Sequence, residues 1–266
     1  MLDRFNRKIN YLRISVTDRC NLRCTYCVPS GKFQWLPHSR ILTFEEITEV
    51  VRTASELGIN KVRLTGGEPL VRKDITQLVA MIAGIKSIDD LAMTTNGILL
   101  EKFAKPLKEA GLMRVNVSLD TTDPQRYAEI TRGGDIEAVF RGIDAALAVG
   151  LQPVKLNCVV KHSRNEPDAQ LVAEYAAAKG LQVRYIHQMN LAGGYFTTVE
   201  GGEGGNCSLC NRLRLTAEGL IKPCLFSNLG FDIRKMGVRE ALMAAVEHKP
   251  HSGTINQAND FYNIGG

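Results

Sequence analysis

Hydrophobic and polar positions alternate with period two in short runs, and between these runs an apolar residue recurs every three or four positions. Residues 7–17 set Leu12, Ile14 and Val16 against Tyr11, Arg13, Ser15 and Thr17, which predicts a strand with one apolar face. The same pattern predicts strands at 61–64, 91–95, 114–119, 154–160 and 182–186. Between them the spacing predicts helices at 43–58, where Thr43 and Glu46 make a capping-box sequence, and at 75–85, 100–110, 135–149 and 167–178. Pro106 falls inside the third of these, so that helix is expected to begin late or to bend there. Strands alternating with helices give successive βαβ units and a parallel sheet, and right-handed crossovers curl such a sheet toward a barrel or part of one.

Past Met189 the alternation stops. Residues 192–206 hold six glycines and little apolar content, which reads as a linker or loop. A short helix is expected at 238–247, and the chain ends in Gly265 and Gly266. The single boundary falls near residue 190, giving segments 1–190 and 191–266.

The polar faces of the strands share one chemistry. Arg13 opposes Leu12 and Ile14, and Lys61 and Arg63 oppose Val62 and Leu64. Asn116 and Ser118, Lys155 and Asn157, and Arg184 stand in the same relation to their apolar neighbours. If the apolar set meets the outer helices, the basic set points inward. An α/β barrel normally fills its interior with branched apolar side chains, so five cations there are costly unless an anion neutralises them. They predict a polyanionic ligand, most simply a nucleoside triphosphate. The alternative is that they sit at strand ends and reach solvent.

Composition narrows the class. At 44% hydrophobic and 23% charged residues the chain is ordinary globular material. The net charge of +5 is mild and no basic run is present, which argues against a nucleic-acid-binding protein. Residues 1–8 are charged with no apolar segment behind them, and no apolar run is long enough to span a bilayer. The sequence therefore reads as a soluble cytoplasmic protein.

Six of the seven cysteines fall in two clusters. Cys20-x3-Cys24-x2-Cys27 follows the first strand; in a reducing compartment such thiols are metal ligands, and three leave one metal position for something other than protein. Cys207-x2-Cys210-x13-Cys224 is a second three-cysteine set, which His248 or His251 could complete as a zinc site. Arg212 and Arg214 lie within it. Cys158, alone in an apolar strand, reads as core. Thr65-Gly-Gly-Glu-Pro69 and Thr94-Thr-Asn-Gly97 follow strands, where parallel sheets bind ligands and glycine lets backbone approach them closely.

The first cysteine motif, with Tyr26 before its third cysteine, resembles the signature of radical S-adenosylmethionine (SAM) enzymes. Tyr-Leu-Arg-Ile-Ser-Val-Thr-Asp-Arg-Cys20, Leu-Thr-Gly-Gly-Glu-Pro-Leu70, Val-Asn-Val-Ser-Leu-Asp120, Val-Lys-Leu-Asn157 and the Cys210-Asn-Arg-Leu-Arg-Leu-Thr216 run resemble the MoaA subgroup, the GTP 3′,8-cyclases of molybdenum-cofactor synthesis. The resemblance implies an α/β fold, a partial (β/α)6 radical-SAM barrel with a small C-terminal iron–sulfur-binding appendage. It implies a 4Fe–4S cluster on Cys20, Cys24 and Cys27, and SAM held by Gly66, Gly67, Glu68, Pro69, Thr94, Asn96, Ser118 and Met189, with Tyr26 near its adenine. It places GTP on Arg13, Lys61, Arg63, Lys155 and Arg184, and a second 4Fe–4S cluster on Cys207, Cys210 and Cys224 against the guanine.

The implied reaction starts with a 5′-deoxyadenosyl radical that removes hydrogen from C3′ of GTP. The carbon radical then attacks C8, and one-electron reduction and protonation of the ring-closed radical yield 3′,8-cyclo-7,8-dihydro-GTP, with Arg212 and Arg214 assisting the closure or that reduction and the Gly265-Gly266 tail inserted near the site. This is the first step of molybdenum or tungsten cofactor synthesis. The implied partners are an electron donor such as flavodoxin or ferredoxin and a downstream cyclic pyranopterin monophosphate synthase, with no nucleic acid and no membrane; a homodimer is compatible with the resemblance. The chain departs from the subgroup in a shorter segment between Met189 and Cys207, in His187 where Glu is typical, and in Asn190 where Pro is typical. A paralogue acting on another nucleotide or on a peptide is the alternative.

Overall fold

The computed structural model describes residues 1–28, 35–258 and 261–264. Six strands, β1 (Tyr11–Ser15), β2 (Lys61–Thr65), β3 (Asp90–Thr95), β4 (Arg114–Ser118), β5 (Lys155–Val160) and β6 (Gln182–His187), run parallel in sequence order. The crossovers carry α1 (Phe44–Glu56), α2 (Ile75–Ala83), α3 (Leu100–Glu109), α4 (Pro124–Thr131), α5 (Ile136–Ala148) and α6 (Pro167–Ala178). β6 ends the sheet on one side and is not hydrogen-bonded to the far end, so the barrel is open, as the partial-barrel expectation requires.

The helices begin where local chemistry satisfies their first N–H groups. Thr43 accepts from the Glu46 N–H at 3.2 Å while the Glu46 carboxylate accepts from the Thr43 N–H at 2.7 Å, closing the capping box at α1. α3 runs through Pro106 without a break in assignment. α4 was not expected from the apolar pattern; it starts on Asp123, whose carboxylate accepts from the Arg126 N–H at 2.6 Å, with Pro124 in its first turn.

The chain beyond residue 190 extends the same sheet. β7 (Arg212–Leu215) pairs parallel with β1, and β8 (Leu220–Lys222) and β9 (Phe231–Asp232) follow antiparallel, giving a nine-stranded order β6-β5-β4-β3-β2-β1-β7-β8-β9. None of these three strands was expected. Leu213, Leu215 and Ile221 are fully buried in the main core, and each such side chain stabilises by about 1.5–3 kcal/mol relative to exposure. The short α7 (Ile233–Met236) precedes α8 (Val238–Glu247), which packs on α1 and falls where the sequence predicts a helix. α9 (Phe261–Ile264) ends the described residues. Among them, no helix is long and apolar enough to cross a membrane.

Strand register aligns the two faces across the sheet. Leu12, Val62, Leu91, Val115, Leu156 and Leu213 face the helices and are buried. On the other face Arg214 is level with Arg13, Arg13 with Arg63, Arg63 with Ala92, and Ala92 with Arg114. The lumen therefore carries a tier of guanidinium groups.

Candidate active site

The first cysteine loop leaves β1 and folds against the loops after β2, β3 and β4. Cys24 O accepts from the N–H groups of Cys27 and Val28, both at 3.0 Å, which turns the loop back on itself. The Cys20 thiol accepts from the Leu22 N–H at 3.3 Å and lies 3.8 Å from Asn96 Nδ2. Burial pushes the Cys24 thiol up to about 12, with the nearby Asp120 carboxylate adding to it. None of the seven cysteines is in a disulfide. Among the described residues, no three histidine, cysteine or acidic side chains have already converged to metal-ligand spacing. What the loop offers a soft metal is its donor set: three reduced thiols on one turn, supported by backbone and amide N–H groups.

Two buried carboxylates flank this loop. Glu68 accepts from the Asn96 N–H (2.7 Å), the Thr95 hydroxyl (2.7 Å) and the Leu70 N–H (3.0 Å), yet its burial outweighs these bonds and raises its carboxyl to about 7. Asp120 accepts from the Tyr26 hydroxyl at 2.7 Å and the Val159 N–H at 2.8 Å, and burial raises it to about 6. Gly66 and Gly67 also permit a close approach within the protein. A Cβ on Gly66 would stand 2.5 Å from Thr17 O and one on Gly67 2.2 Å from Arg19 O, so these glycines let the loop lie against the stem of the cysteine loop itself. The Gly67 and Glu68 N–H groups bond Thr17 O and Arg19 O at 2.8 Å, which fixes Glu68 beside the thiols. A cleft of about 560 Å³ borders this region and is lined by Tyr26, Cys27, Lys161, Met189 and Asn256 among others.

The lumen forms a cavity of about 470 Å³. Arg13, Lys61, Arg63, Arg184, Arg212 and Arg214 line it, and so do Met189 and all three cysteines of the second set. Lys155 does not line it, although it stands on the same face, level with Asn116; its burial and the charges of Arg184, Arg114 and Arg63 lower its pKa. Thr94 accepts a hydrogen bond from Arg63 Nη1 at 3.3 Å. Burial holds Arg214 down at about 10, with Arg212 next in effect, and puts Arg13 well below its ordinary value. Burial alone would raise the Tyr11 phenol, but the charges of Arg13, Arg63 and Arg212 outweigh it and lower its pKa. Crowded cations in a half-enclosed space are the electrostatic signature of an anion site.

The second cysteine loop closes one end of this cavity and is held by two buried cations. Arg7 donates to Cys207 O (2.7 Å), Pro250 O (2.7 Å) and His251 O (3.0 Å) and is paired with Asp3 at 2.6 Å. Lys249, 1% exposed, donates to Arg212 O (2.7 Å) and Pro223 O (2.6 Å). Burial would raise the Cys210 thiol, but Lys249 and the Arg212 N–H bring it below its ordinary value. Of the two histidines weighed as zinc ligands, His248 has Nδ1 2.9 Å from Ala244 O, and His251 packs edge-on to Phe5.

Cys20, Cys24, Gly66, Gly67, Glu68, Pro69, Thr94, Asn96 and Ser118 line neither space. Gly265 and Gly266 lie outside the described residues. Sequence reasoning missed Tyr11, Asp90, Arg114, Lys249 and Arg7. Asp90 and Arg114 had a signal, since both begin strands of the basic tier; they pair at 2.5 Å.

Comparison with known proteins follows the same outline. The pattern described as the Radical SAM superfamily matches residues 14–176. A GTP 3′,8-cyclase of Pelotomaculum thermopropionicum is 43% identical over 305 residues, covering 94% of each chain. A second GTP 3′,8-cyclase, from Petrotoga mobilis, is 40% identical over 314 residues, covering 98% of this chain and 97% of its own. Since 94% of a 266-residue chain cannot fill 305 aligned positions, several dozen positions of the first relative have no counterpart here. Among solved structures, native anSMEcpe with bound AdoMet aligns with a TM-score of 0.62 at 15% identity, covering 91% of this chain and 81% of its own. Methylornithine synthase (PylB) aligns with a TM-score of 0.58 at 18% identity, covering 96% and 77%. Those two likenesses describe the fold.

Proposed function

This chain belongs to the radical SAM superfamily and, within it, to the GTP 3′,8-cyclases, and from that premise we propose that it converts GTP to 3′,8-cyclo-7,8-dihydro-GTP in molybdenum or tungsten cofactor synthesis. The observation that carries the reading is the basic cavity stretched between two three-cysteine loops. A 4Fe–4S cluster with SAM, bound at Cys20, Cys24 and Cys27, supplies one-electron chemistry able to break an unactivated C–H bond.

The chain's own residues then have defined tasks. Glu68, held by three hydrogen bonds, presents a carboxyl to the cationic amino group of SAM, and Tyr26, fixed by Asp120, presents its ring to the adenine. Arg13, Lys61, Arg63 and Arg184 neutralise the triphosphate, so the nucleoside is held in one orientation before any bond changes. Lys155 adds its charge from the same face of the sheet. Arg212 and Arg214 border the second loop, where they stabilise the negative charge that the guanine gains when the ring-closed radical is reduced. The reading includes a second 4Fe–4S cluster on Cys207, Cys210 and Cys224, supported by reduced thiols in a cationic surrounding. It extends to a cytoplasmic location, to a small electron-transfer protein such as flavodoxin or ferredoxin as reductant, and to a cyclic pyranopterin monophosphate synthase as consumer of the product.

The test is an anaerobic assay of cluster-loaded protein with SAM, GTP and a reductant, following 5′-deoxyadenosine and GTP together. Both are expected to change in step, with a cyclised guanosine triphosphate appearing. Formation of 5′-deoxyadenosine while GTP persists would move the assignment to another nucleotide.

A further inference from the structure

The wall of the cavity between β6 and β7 is made by residues 196–206, and its chemistry is distinct from the basic tier. Tyr185 of β6 and Glu200 exchange two backbone hydrogen bonds at 3.1 Å, so the segment docks on the open edge of the barrel. It then turns back: the Val199 N–H bonds Gly204 O at 2.7 Å. Gly201 and Gly205 have φ of +74° and +78°, and a Cβ on Gly205 would stand 1.9 Å from Thr197 O, so only glycine closes this turn. Glycines line a cavity with backbone alone, and Gly201, Gly202, Gly204 and Gly205 all line this one.

Several donors on this wall have no acceptor in the protein. Arg184 Nε, Arg212 Nε and Thr197 Oγ1 are buried and without a hydrogen-bond partner. Among the described residues, the N–H groups of residues 203–206 likewise have none. The two arginines lie directly behind the turn. A Cβ on Gly202 would come 3.4 Å from Arg184 Nε, one on Gly204 3.8 Å from Arg212 Nη1, and Arg212 Nη2 donates to Glu203 O at 2.9 Å. Buried donors without partners are costly, and three of them on one wall, beside a turn whose N–H groups at 203–206 make no bond among the described residues, point to a ligand rich in acceptors. Backbone N–H groups in a glycine turn backed by guanidinium groups suit phosphate oxygens.

We propose that residues 197–206 form a polyphosphate-binding wall, in which the Thr197 hydroxyl and the turn's backbone N–H groups, together with Arg184 and Arg212, bind the phosphate chain of the substrate and set the preference for triphosphate over monophosphate. This rests on the reading of the substrate as GTP but goes beyond the basic tier, because the donors added are those of a segment that is short in this chain. The wall thus does two things at once: it seals the open edge of the barrel, and it reads the length of the phosphate chain.

The experiment measures equilibrium binding of inorganic tripolyphosphate, GTP, GMP and guanosine to the cluster-loaded protein and to two variants. Thr197→Val keeps the shape and removes the hydroxyl; Gly202→Ala places a methyl group in ordinary contact over Arg184 Nε. Each is expected to weaken tripolyphosphate and GTP by about tenfold and to leave guanosine unchanged, with iron content as in the parent. Unchanged tripolyphosphate binding in both variants would overturn the proposal. So would a parallel loss of guanosine, which would mark the wall as merely structural. If the parent fails to turn over GTP yet tripolyphosphate binding still falls in the variants, the wall stands and the GTP assignment is what fails.

Discussion

The two cysteine loops have the same number of thiols and opposite electrostatic surroundings. The first is flanked by two buried carboxylates, Glu68 and Asp120, and the charge of Asp120 adds to the burial that raises Cys24. The second is flanked by buried cations: Lys249 across it, Arg7 beneath Cys207, and Lys222, which burial lowers to about 8, two residues before Cys224. Ligand composition alone therefore does not describe either site. A carboxylate-rich surrounding favours a cationic co-ligand, as a sulfonium with an ammonium group is, whereas a cation-rich surrounding favours anionic thiolates and an anionic substrate beside them.

The largest expected effect separates the loops outright. Cys24→Ala abolishes 5′-deoxyadenosine formation, while Cys210→Ala retains it and loses the cyclised product; chromatography of both products under anaerobic conditions makes the distinction. If Cys210→Ala still cyclised GTP, the second loop would have no part in the chemistry. Next, Lys249→Met leaves the carbonyls of Arg212 and Pro223 without a donor and lowers stability by roughly 2–5 kcal/mol in urea denaturation of the metal-free protein. The corresponding change at the first loop, Asn96→Ala, removes a side-chain donor to Asn21 and costs about 1 kcal/mol. Equal losses would contradict the contrast in how the loops are held.

A smaller effect appears with pH. The Glu68 carboxyl is raised from 4.5 to about 7 in the folded chain, so its neutral form favours folding; that stability is fully present below about pH 4.5 and is lost as pH rises through about 7. In Glu68→Gln this part of the pH dependence disappears, which paired denaturation series at pH 5 and pH 8 would reveal. Smallest of all, Asp120→Asn keeps an acceptor for the Tyr26 hydroxyl but removes its charge, and SAM affinity falls about fivefold by equilibrium dialysis. No change there would mean that Tyr26 needs no fixing.

Much of this was legible in the sequence, for a physical reason. In a parallel sheet, strand partners share a face, so period-two alternation in Arg13, Lys61, Arg63 and Arg184 carried through directly to a basic cavity. Lys155 shows the limit: alternation assigns a face, not a depth, and this lysine shares the face without lining the cavity. β7 to β9 escaped because four-, three- and two-residue strands carry too few alternations to register, and Arg212 and Arg214 drew attention as chemistry instead of as one face of a strand. The glycines of Thr65-Gly-Gly-Glu-Pro69 were read as letting backbone approach a ligand, and the structure adds a second close approach, to residues 17–19, that nothing in the local sequence announces. Arg7 and Lys249 had no local signal, since nothing around them announces a partner two hundred positions away or in another strand.

The reach of Arg7 sets a timetable for biosynthesis. Its three carbonyl partners lie 200, 243 and 244 residues further along the chain. The bonds that brace the first loop, from Tyr26 to Asp120 and from Thr25 to Ile130, span little more than a hundred residues and need nothing beyond residue 130. On the ribosome the first loop is thus braced while synthesis continues. The second is not braced until residues 250 and 251 have been made and brought back to Arg7.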